Sequence, residues 1–546
     1  MKNLTIVFAL LFSINAYSQQ TVGLFLYSQD ALPGYTLFAP ANTYTTYLID
    51  NCGDLQYSWP SVYKTGHTVE LMEDGTLLRA CNFQNGSPIS GGGGGGRIEA
   101  LSPDLQVAWA FEYANDSVRL HHDFEIMPNG NILMIAWELK DTQTAIDFGR
   151  DPLLVGANGM YPEHIIEYNP TTQQIDWVWH AWDHIIQDFD AGKPNYGVVA
   201  DHPELFNLNF DAGAGAADWQ HFNAMDYNAG LDQIIFSSPK WNEIYIIDHS
   251  TSTAEAAGHT GGLSGQGGDI LWRWGNPEMY GQGDSTDRKL FGQHDVRWIE
   301  DGFRHGGKIT VYNNGKGRIP DEYSTIDVIA PSILPNGDYE MNVNNQFLPA
   351  SHDYSYSAPV PTDFYSHNIS GAQMLENGNI MICEGSQGHF FEVDSLDNLV
   401  WDYRNPAVTD SIMEQEEVIP GTQTLNNRAF RALRYVHDFP GLTFLPLVNQ
   451  GPIELNPYTS TCVTQIGLKE LQNQQLLVYP SPAQDEIFIE YSGENPTFVI
   501  LNNLGQLMSR GTLSNAAIDV KDLSQGIYYV SVIDEGYYYT TTFIKE

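Results

Sequence analysis

Five histidines, His67, His122, His221, His294 and His367, recur in one pattern: each is followed eight to eleven residues later by a turn glycine and then a short apolar strand. Imidazole titrates near neutrality, so a cluster of such rings can supply hydrogen-bond donors, a base or a nucleophile with little tuning. Three of the five have polar neighbours where the start of a buried strand is ordinarily apolar: Trp219-Gln220-His221-Phe222-Asn223, Gln293-His294-Asp295 and Ser366-His367-Asn368-Ile369-Ser370-Gly371. At His67 and His122 the imidazole reads instead as scaffold, bonding one repeat to the next. Between His294 and His367 lies Tyr312-Asn313-Asn314-Gly315-Lys316-Gly317-Arg318, a glycine-rich turn carrying two amides and the few basic groups of this region. Arg318 offers a planar fork to an oxyanion, where a lysine acts only as a point charge. Together these residues describe a positive, donor-rich pocket for an anion.

Such a pocket would stand out in this chain, whose 67 acidic and 25 basic residues give a formal charge of −42. That balance excludes nucleic acid as a partner, because binding it needs a basic footprint, and it first suggests solubility in a salty exterior. An anionic substrate needs a local positive site to overcome the general field. His121-His122-Asp123, His294-Asp295 and His437-Asp438 mix imidazole with carboxylate as metal ligands do, but they are scattered over different repeats and no metal is assigned to them. Asp295 reads as the residue that orients His294. The run at 91–96 is all glycine, yet it lacks the Gly-Lys-Ser/Thr ending of a phosphate loop and reads as a flexible connection. Arg428, Arg431 and Arg434 either reach the central channel or pair with acidic strand edges. Four cysteines are too few for a disulfide framework; a Cys52–Cys81 bridge is compatible with export, and Cys383, within Asn379-Ile380-Met381-Ile382-Cys383, reads as a small core residue.

The elements that position the histidines follow from the same repeat. Asp74-Gly75, Asn129-Gly130, Asp301-Gly302 and Asn377-Gly378 sit between apolar runs, the strongest local hairpin signal. A second pair of strands follows each hairpin, as in Ile165-Ile166-Glu167-Tyr168 with Trp177-Val178-Trp179 and Phe391-Glu392-Val393-Asp394 with Trp401-Asp402-Tyr403. Six such four-strand units, starting near Leu24, His67, His122, His221, His294 and His367, make the chain all-β and predict a six-bladed β-propeller over 19–450. The first unit, 24–59, is degenerate, with Pro33-Gly34 as its turn, and 405–447 complete the ring. The innermost strand of a propeller blade lines the channel, so the histidines are expected around one mouth. Residues 1–18, with Lys2, an apolar run and Ala16-Tyr17-Ser18, read as a signal peptide that leaves a mature form without a transmembrane span. Residues 451–470 read as a linker and 471–546 as a small β-sandwich.

Two resemblances add to these readings. Val478-Tyr479-Pro480-Ser481-Pro482-Ala483, Asn502-Asn503-Leu504-Gly505-Gln506 and Gly526-Ile527-Tyr528 make 471–546 similar to the C-terminal sorting domain of the type IX secretion system. This implies that secretion machinery as a partner, export through the periplasm, and release or attachment at the cell surface. Gly34-Tyr35-Thr36-Leu37-Phe38, His221 with Asn223, Gln293-His294, the Asn-Asn-Gly-x-Gly-Arg turn, Ser370-Gly371-Ala372-Gln373 and Phe430-Arg431-Ala432-Leu433-Arg434-Tyr435 resemble the arylsulfate sulfotransferase family. The resemblance implies transfer of a sulfuryl group from an aryl sulfate donor to a phenolic acceptor, without a nucleotide or other cofactor. Carried over, His221, His294 and Arg318 hold the sulfuryl oxygens, His367 is the nucleophile by its place in the repeat, and Asn223 and Asn314 assist in binding. A turn-forming role for Asn314 stays open. The residues alone also admit a non-catalytic ligand-binding propeller and a metal-assisted hydrolase or lyase.

Overall fold

The computed structural model describes residues 20–210, 216–409, 411–419, 427–458, 462, 476–490, 497–502, 507–513, 517–521, 523–534 and 537–546. The expected signal peptide, 1–18, lies outside them, as does much of the 451–470 linker. The chain divides into two compact units, Met1–Ser460 and Thr461–Glu546.

Turn chemistry sets the hairpins of the first unit. Gly75, Gly130 and Gly378 adopt φ of 83°, 83° and 86°, which side-chain-bearing residues rarely take. The residue before each glycine accepts from the backbone N–H just after it: Asp74 from Thr76 at 2.9 Å, Asn129 from Asn131 at 2.9 Å and Asn377 from Asn379 at 3.1 Å. The strands so paired build six antiparallel sheets of four or five strands among the described residues. The innermost strands are Ala429–Val436, Thr65–Leu71, Val118–Ile126, Ala224–Asn228, His294–Trp298 and Gly371–Met374, one per sheet. They neighbour one another in that cyclic order, the last touching the first.

Packing explains why the strands read as apolar runs rather than alternating ones. Each sheet shares a buried cluster with the next: Leu37 and Trp59 with Val69 and Leu77, Leu78 and Ile98 with Phe124 and Met134, and so on to Phe38 and Ile49 with Met381 and Trp401, which join the last sheet to the first. Tryptophans of the outer strands pin these joints. The indole N–H of Trp179 donates to the Gly268 carbonyl at 2.7 Å, that of Trp272 to Leu348 at 2.9 Å and that of Trp401 to Asn51 at 2.8 Å.

Two sequence expectations need correction here. The strand Gly23–Tyr27 does not open the first sheet; it pairs with Leu399–Arg404 as a fifth, outer strand of the sixth. Its place inside the first sheet is taken by Ala429–Val436, paired with Gly34–Pro40. Burial accounts for the exchange: Phe25 and Leu26 are 40% and 37% exposed, which suits a rim, whereas Ala429–Val436 is buried over six of its eight positions. The Cys52–Cys81 bridge is not formed, since Cys81 is a free, buried thiol that accepts from the Arg79 guanidinium at 3.3 Å. Cys383 is buried and free, in the core.

The second unit, taken by itself, has a three-stranded sheet (Leu477–Tyr479, Glu486–Glu490, Ala517–Asp519) and a four-stranded one (Leu507–Thr512, Thr497–Asn502, Gly526–Asp534, Tyr537–Lys545). Ile487, Ile500, Ile518, Val530 and Phe543 from both sheets make one core. No helix among the described residues is long and apolar enough to cross a membrane.

Candidate functional site

The innermost strands are not regular where the histidines sit. His122 (φ 53°), His221 (φ 59°), Asp295 (φ 50°) and Ile369 (φ 50°) all lie in the left-handed region, and the ladders slip between Thr65 and Val69, between Met134 and Ala136, and between His294 and Arg297. Bulges of this kind re-aim side chains, and positive φ in a β-branched residue such as Ile369 persists only where the surroundings enforce it. The result is a division of labour between successive residues. His122 and His294 face a cavity, while Asp123 and Asp295 turn to Arg431.

That cavity has a volume of about 840 Å³ and is lined by all five repeated histidines together with Arg119, Lys240, Lys316, Arg428, Glu322 and Phe430. Ring centroids of His67 and His122 are 4.9 Å apart and those of His122 and His221 4.6 Å. Phe430 stacks on His67 at 4.7 Å and meets His294 edge-on at 6.4 Å. Four cations around one cavity form the local positive site that an anion needs in a chain of charge −42.

Each imidazole is held differently. His221 gives its Nδ1 hydrogen to Asp218 at 2.6 Å, and Lys240 sits 3.0 Å from the same carboxylate oxygen. His294 is engaged at both nitrogens, Nδ1 donating to Asn314 Oδ1 at 2.9 Å and Nε2 accepting the Ile369 N–H at 3.2 Å. His122 Nδ1 lies 2.7 Å from His121 Nδ1, and His121 Nε2 lies 2.7 Å from Glu163 Oε2. His367, exposed at the rim, has no side-chain hydrogen bond among the described residues. Burial drives the pKa of His67 down to about 4 and that of His294 to about 3, and pushes His121 and His122 well below the ordinary value. His367 is lowered by burial first and then by the Arg428 and Lys316 charges beside it. His67, His121, His122, His294 and His367 are therefore neutral at physiological pH, each with a lone pair on one nitrogen.

Not every sequence candidate reaches the cavity. Arg318 is outside its lining: the guanidinium lies 4.3 Å from the Tyr323 ring centroid and 5.3 Å from that of Phe291, and donates to Thr325 Oγ1 at 3.3 Å. Asn314 sits behind His294, donating to the Ser366 and Ile369 carbonyls at 2.7 and 2.9 Å while its oxygen orients the imidazole. Asn223 is buried and donates to the Gln293 carbonyl at 2.8 Å, joining the fourth sheet to the fifth. Asp295 does not orient His294; it pairs with Arg297 at 2.9 Å and with Arg431 at 2.5 Å, and Arg431 grips Asp123 through two bonds of 2.6 Å. His122-Asp123 and His294-Asp295 are therefore not metal pairs but rings and counter-ions facing opposite ways.

Sequence reasoning undervalued three parts of the site. His67 and His122 line the cavity rather than serving only as scaffold. Arg428, left open between channel and strand edge, lines it and donates to Asn368 Oδ1 at 2.9 Å. The glycine run packs against the imidazoles: a Cβ on Gly92 would lie 2.9 Å from His221 Cε1, and one on Gly93 would lie 2.3 Å from His122 Nδ1. Only backbone without side chains fits there, and the signal in the sequence was the run itself.

An all-β, β-propeller-like fold with an imidazole-lined cavity in its first unit defines the class. The chain belongs to the arylsulfotransferase (ASST) family, whose model matches residues 15–426, and the secretion system C-terminal sorting domain matches 477–546. Membership marks the protein as a transferase with aryl sulfates and phenols as substrates, and the sorting domain marks it for secretion or cell-surface attachment by that machinery. No curated protein matches the chain. Similar solved structures include a protein of unknown function from Bacteroides caccae (11% identity, 74% of this chain and 98% of that one, TM-score 0.39) and the β-propeller domain of Myceliophteria thermophila Cps50 (Swd1) (10%, 72% and 91%, 0.36). A catalytically inactive virginiamycin B lyase from Staphylococcus aureus is 9% identical, over 71% of this chain and 89% of that one, with TM-score 0.32. Likenesses of this extent carry no argument about function.

Proposed function

We propose that the protein is a secreted aryl-sulfate sulfotransferase that works through a sulfohistidine and needs no nucleotide cofactor. The observation that carries this reading is the convergence of five imidazoles and four cations on one cavity in a strongly acidic chain. The six sheets are read as the six blades of one propeller over 19–450, with the sorting domain over 471–546 and export through the periplasm after loss of 1–18. His367 is the nucleophile: its ring is neutral, makes no side-chain hydrogen bond among the described residues, and is flanked by Arg428 and Lys316. A ring nitrogen attacks sulfur, the S–O bond to the arene breaks, and the departing oxygen takes a proton. Cationic and N–H donors around the equatorial oxygens stabilise the transition state, each by a few kcal/mol. His221 belongs among them, with His294 and Asn314 holding the rim segment 366–369 and Asn223 the neighbouring sheet. Arg428, which lines the cavity, takes the oxyanion-binding part expected of Arg318.

The proton has a source. Glu163, His121 and His122 form a string that ends in the cavity, and burial, with Asp218 nearby, holds the Glu163 carboxyl well above the usual carboxylate range. A protonated Glu163 makes His122 a donor at Nε2. His122 gives that hydrogen to the leaving phenolate and regains it from the acceptor phenol when the N–S bond breaks in the second half-reaction.

His221 is the alternative nucleophile, favoured by its bond to Asp218, which orients the ring and leaves Nε2 for attack. Phenolate release from a chromogenic aryl sulfate, with and without added phenol, tests the function. Acceptor-stimulated release by the parent protein, lost in His367→Ala, is expected; absence of release across several aryl sulfates would contradict it.

A further inference from the structure

Outside the imidazole cavity, a second set of donors converges at the fourth sheet. His184 ends the short helix Ala181–His184, which follows the outer strand of the third sheet, and His259 and Asp269 lie in the long connection between Glu243–Asp248 and Ile270–Trp274. The Nδ1 atoms of His184 and His259 stand 2.7 and 2.8 Å from the same atom, Asp269 Oδ1. Ligand atoms of the three residues all fall within 4.8 Å of one another.

Hydrogen counting decides what the cluster can be. His184 Nε2 is 2.8 Å from the Ala256 carbonyl oxygen, which only accepts, so the ring carries its hydrogen there. A neutral His184 then turns an Nδ1 lone pair on a carboxylate oxygen, and two acceptors 2.7 Å apart need a positive species between them. That species is a second proton on His184 or a metal ion. An ion serves all three donors at once, and commitment of the far N–H to a backbone carbonyl is how proteins orient metal-ligating imidazole.

The surroundings are built to hold this geometry. A Cβ on Gly268 would fall 2.0 Å from the Ala256 oxygen and 2.6 Å from His184 Nε2, so only glycine allows the two to meet. The His184 side chain is fully buried and stacks on Trp179, with 5.6 Å between centroids and 6° between planes. His259, 61% exposed, supplies an entry path. It also has the freedom to open its own 2.8 Å separation from Asp269 to the roughly 3.3 Å that tetrahedral bonds of about 2 Å require, and the buried His184–Asp269 pair must part from 2.7 Å by about 0.6 Å to do the same.

We propose that His184, His259 and Asp269 bind a divalent first-row transition-metal ion, with water in the fourth position, and so staple the exit of the third sheet to the outer connection of the fourth. Two imidazoles and one carboxylate suit zinc rather than magnesium or calcium. The test uses untagged full chain stripped with chelator, titrated with Zn²⁺ by calorimetry, with bound metal measured by mass spectrometry. One zinc per chain is expected in the parent and in His367→Ala, and binding at least about tenfold weaker in His259→Ala and Asp269→Asn. His259→Cys, which keeps a zinc donor at an exposed position, should restore binding and give a thiolate-to-metal band with Co²⁺. Absence of stoichiometric binding to the parent, binding retained in both His259→Ala and Asp269→Asn, or its loss only in His367→Ala would overturn the proposal.

Discussion

The Nδ1 atoms of His121 and His122 stand 2.7 Å apart, so a single hydrogen lies between them, and the hydrogen assigned to one ring fixes the other. Glu163, 2.7 Å from His121 Nε2, therefore sets whether His122 offers a donor or a lone pair to the cavity. Glu163→Gln can still bond His121 but cannot pass a proton. It is expected to slow transfer from aryl sulfates with poor leaving groups about 10²-fold, within the range of general acid catalysis, while nitrophenyl sulfate changes only a few-fold. A leaving-group series of kcat/KM checks this; a uniform loss across the series would mean that Glu163 only supports the fold.

Gly93 is the closest point of the glycine run to an imidazole. Gly93→Ala must displace the His122 ring, because its Cβ would come 2.3 Å from Nδ1. A fall in kcat of at least about tenfold is expected, with a thermal midpoint near that of the parent. Gly230→Ala, whose nearest neighbour would be Asn228 Oδ1 at 3.3 Å, serves as the control for a glycine away from the cavity.

Two arginines separate the sequence reading of the anion site from the structural one. Arg428→Ala removes a cation from the cavity lining and should lower kcat/KM for the donor by about 10- to 100-fold, the scale of a lost charge-assisted contact. Arg318→Ala removes a guanidinium stacked on Tyr323 and Phe291 and should alter kcat/KM by no more than a few-fold. Steady-state kinetics on the pair decide between them.

Asp226, on the innermost strand of the fourth sheet, has its pKa pushed up to about 6 by burial, against the pull of Arg297 and with Asp295 adding to the rise. Glu70 and Glu125, facing the same guanidinium, are also raised by burial. A carboxyl with a raised folded-state pKa binds more protons folded than unfolded, so its stability contribution is lost as pH rises from about 4 to about 6. Asp226→Asn should therefore gain stability relative to the parent over that window, by at most about 2 to 3 kcal/mol above it. Denaturant melts at several pH values check the sign; a gain that grows on acidification would contradict it.

How much of this was legible in the sequence depended on how local the cause was. Asn377-Gly378 and Asp74-Gly75 announce their hairpins because turn and side-chain bond lie within four residues. The first sheet was misread because its inner strand, Ala429–Val436, pairs with Gly34–Pro40 across almost the whole unit. The recurrence of histidine anticipated the imidazole-lined cavity, but not the direction of each side chain: the positive φ of His122 and Asp295 sends successive residues to opposite sides, and no spacing rule carries that information. Arg318 was misplaced for the same reason, since the turn that presents it leaves its direction to the rings of Phe291 and Tyr323.

The most direct measurement is intact-protein and peptide mass spectrometry on protein mixed with an aryl sulfate in the absence of acceptor, quenched at alkaline pH where an N-sulfo-imidazole persists. A mass gain of one SO₃, mapped to the peptide containing His367, abolished in His367→Ala and discharged by added phenol, is the expected result. A gain mapped to His221 would transfer the nucleophile to that ring, and turnover without any sulfated intermediate would contradict the sulfohistidine mechanism itself.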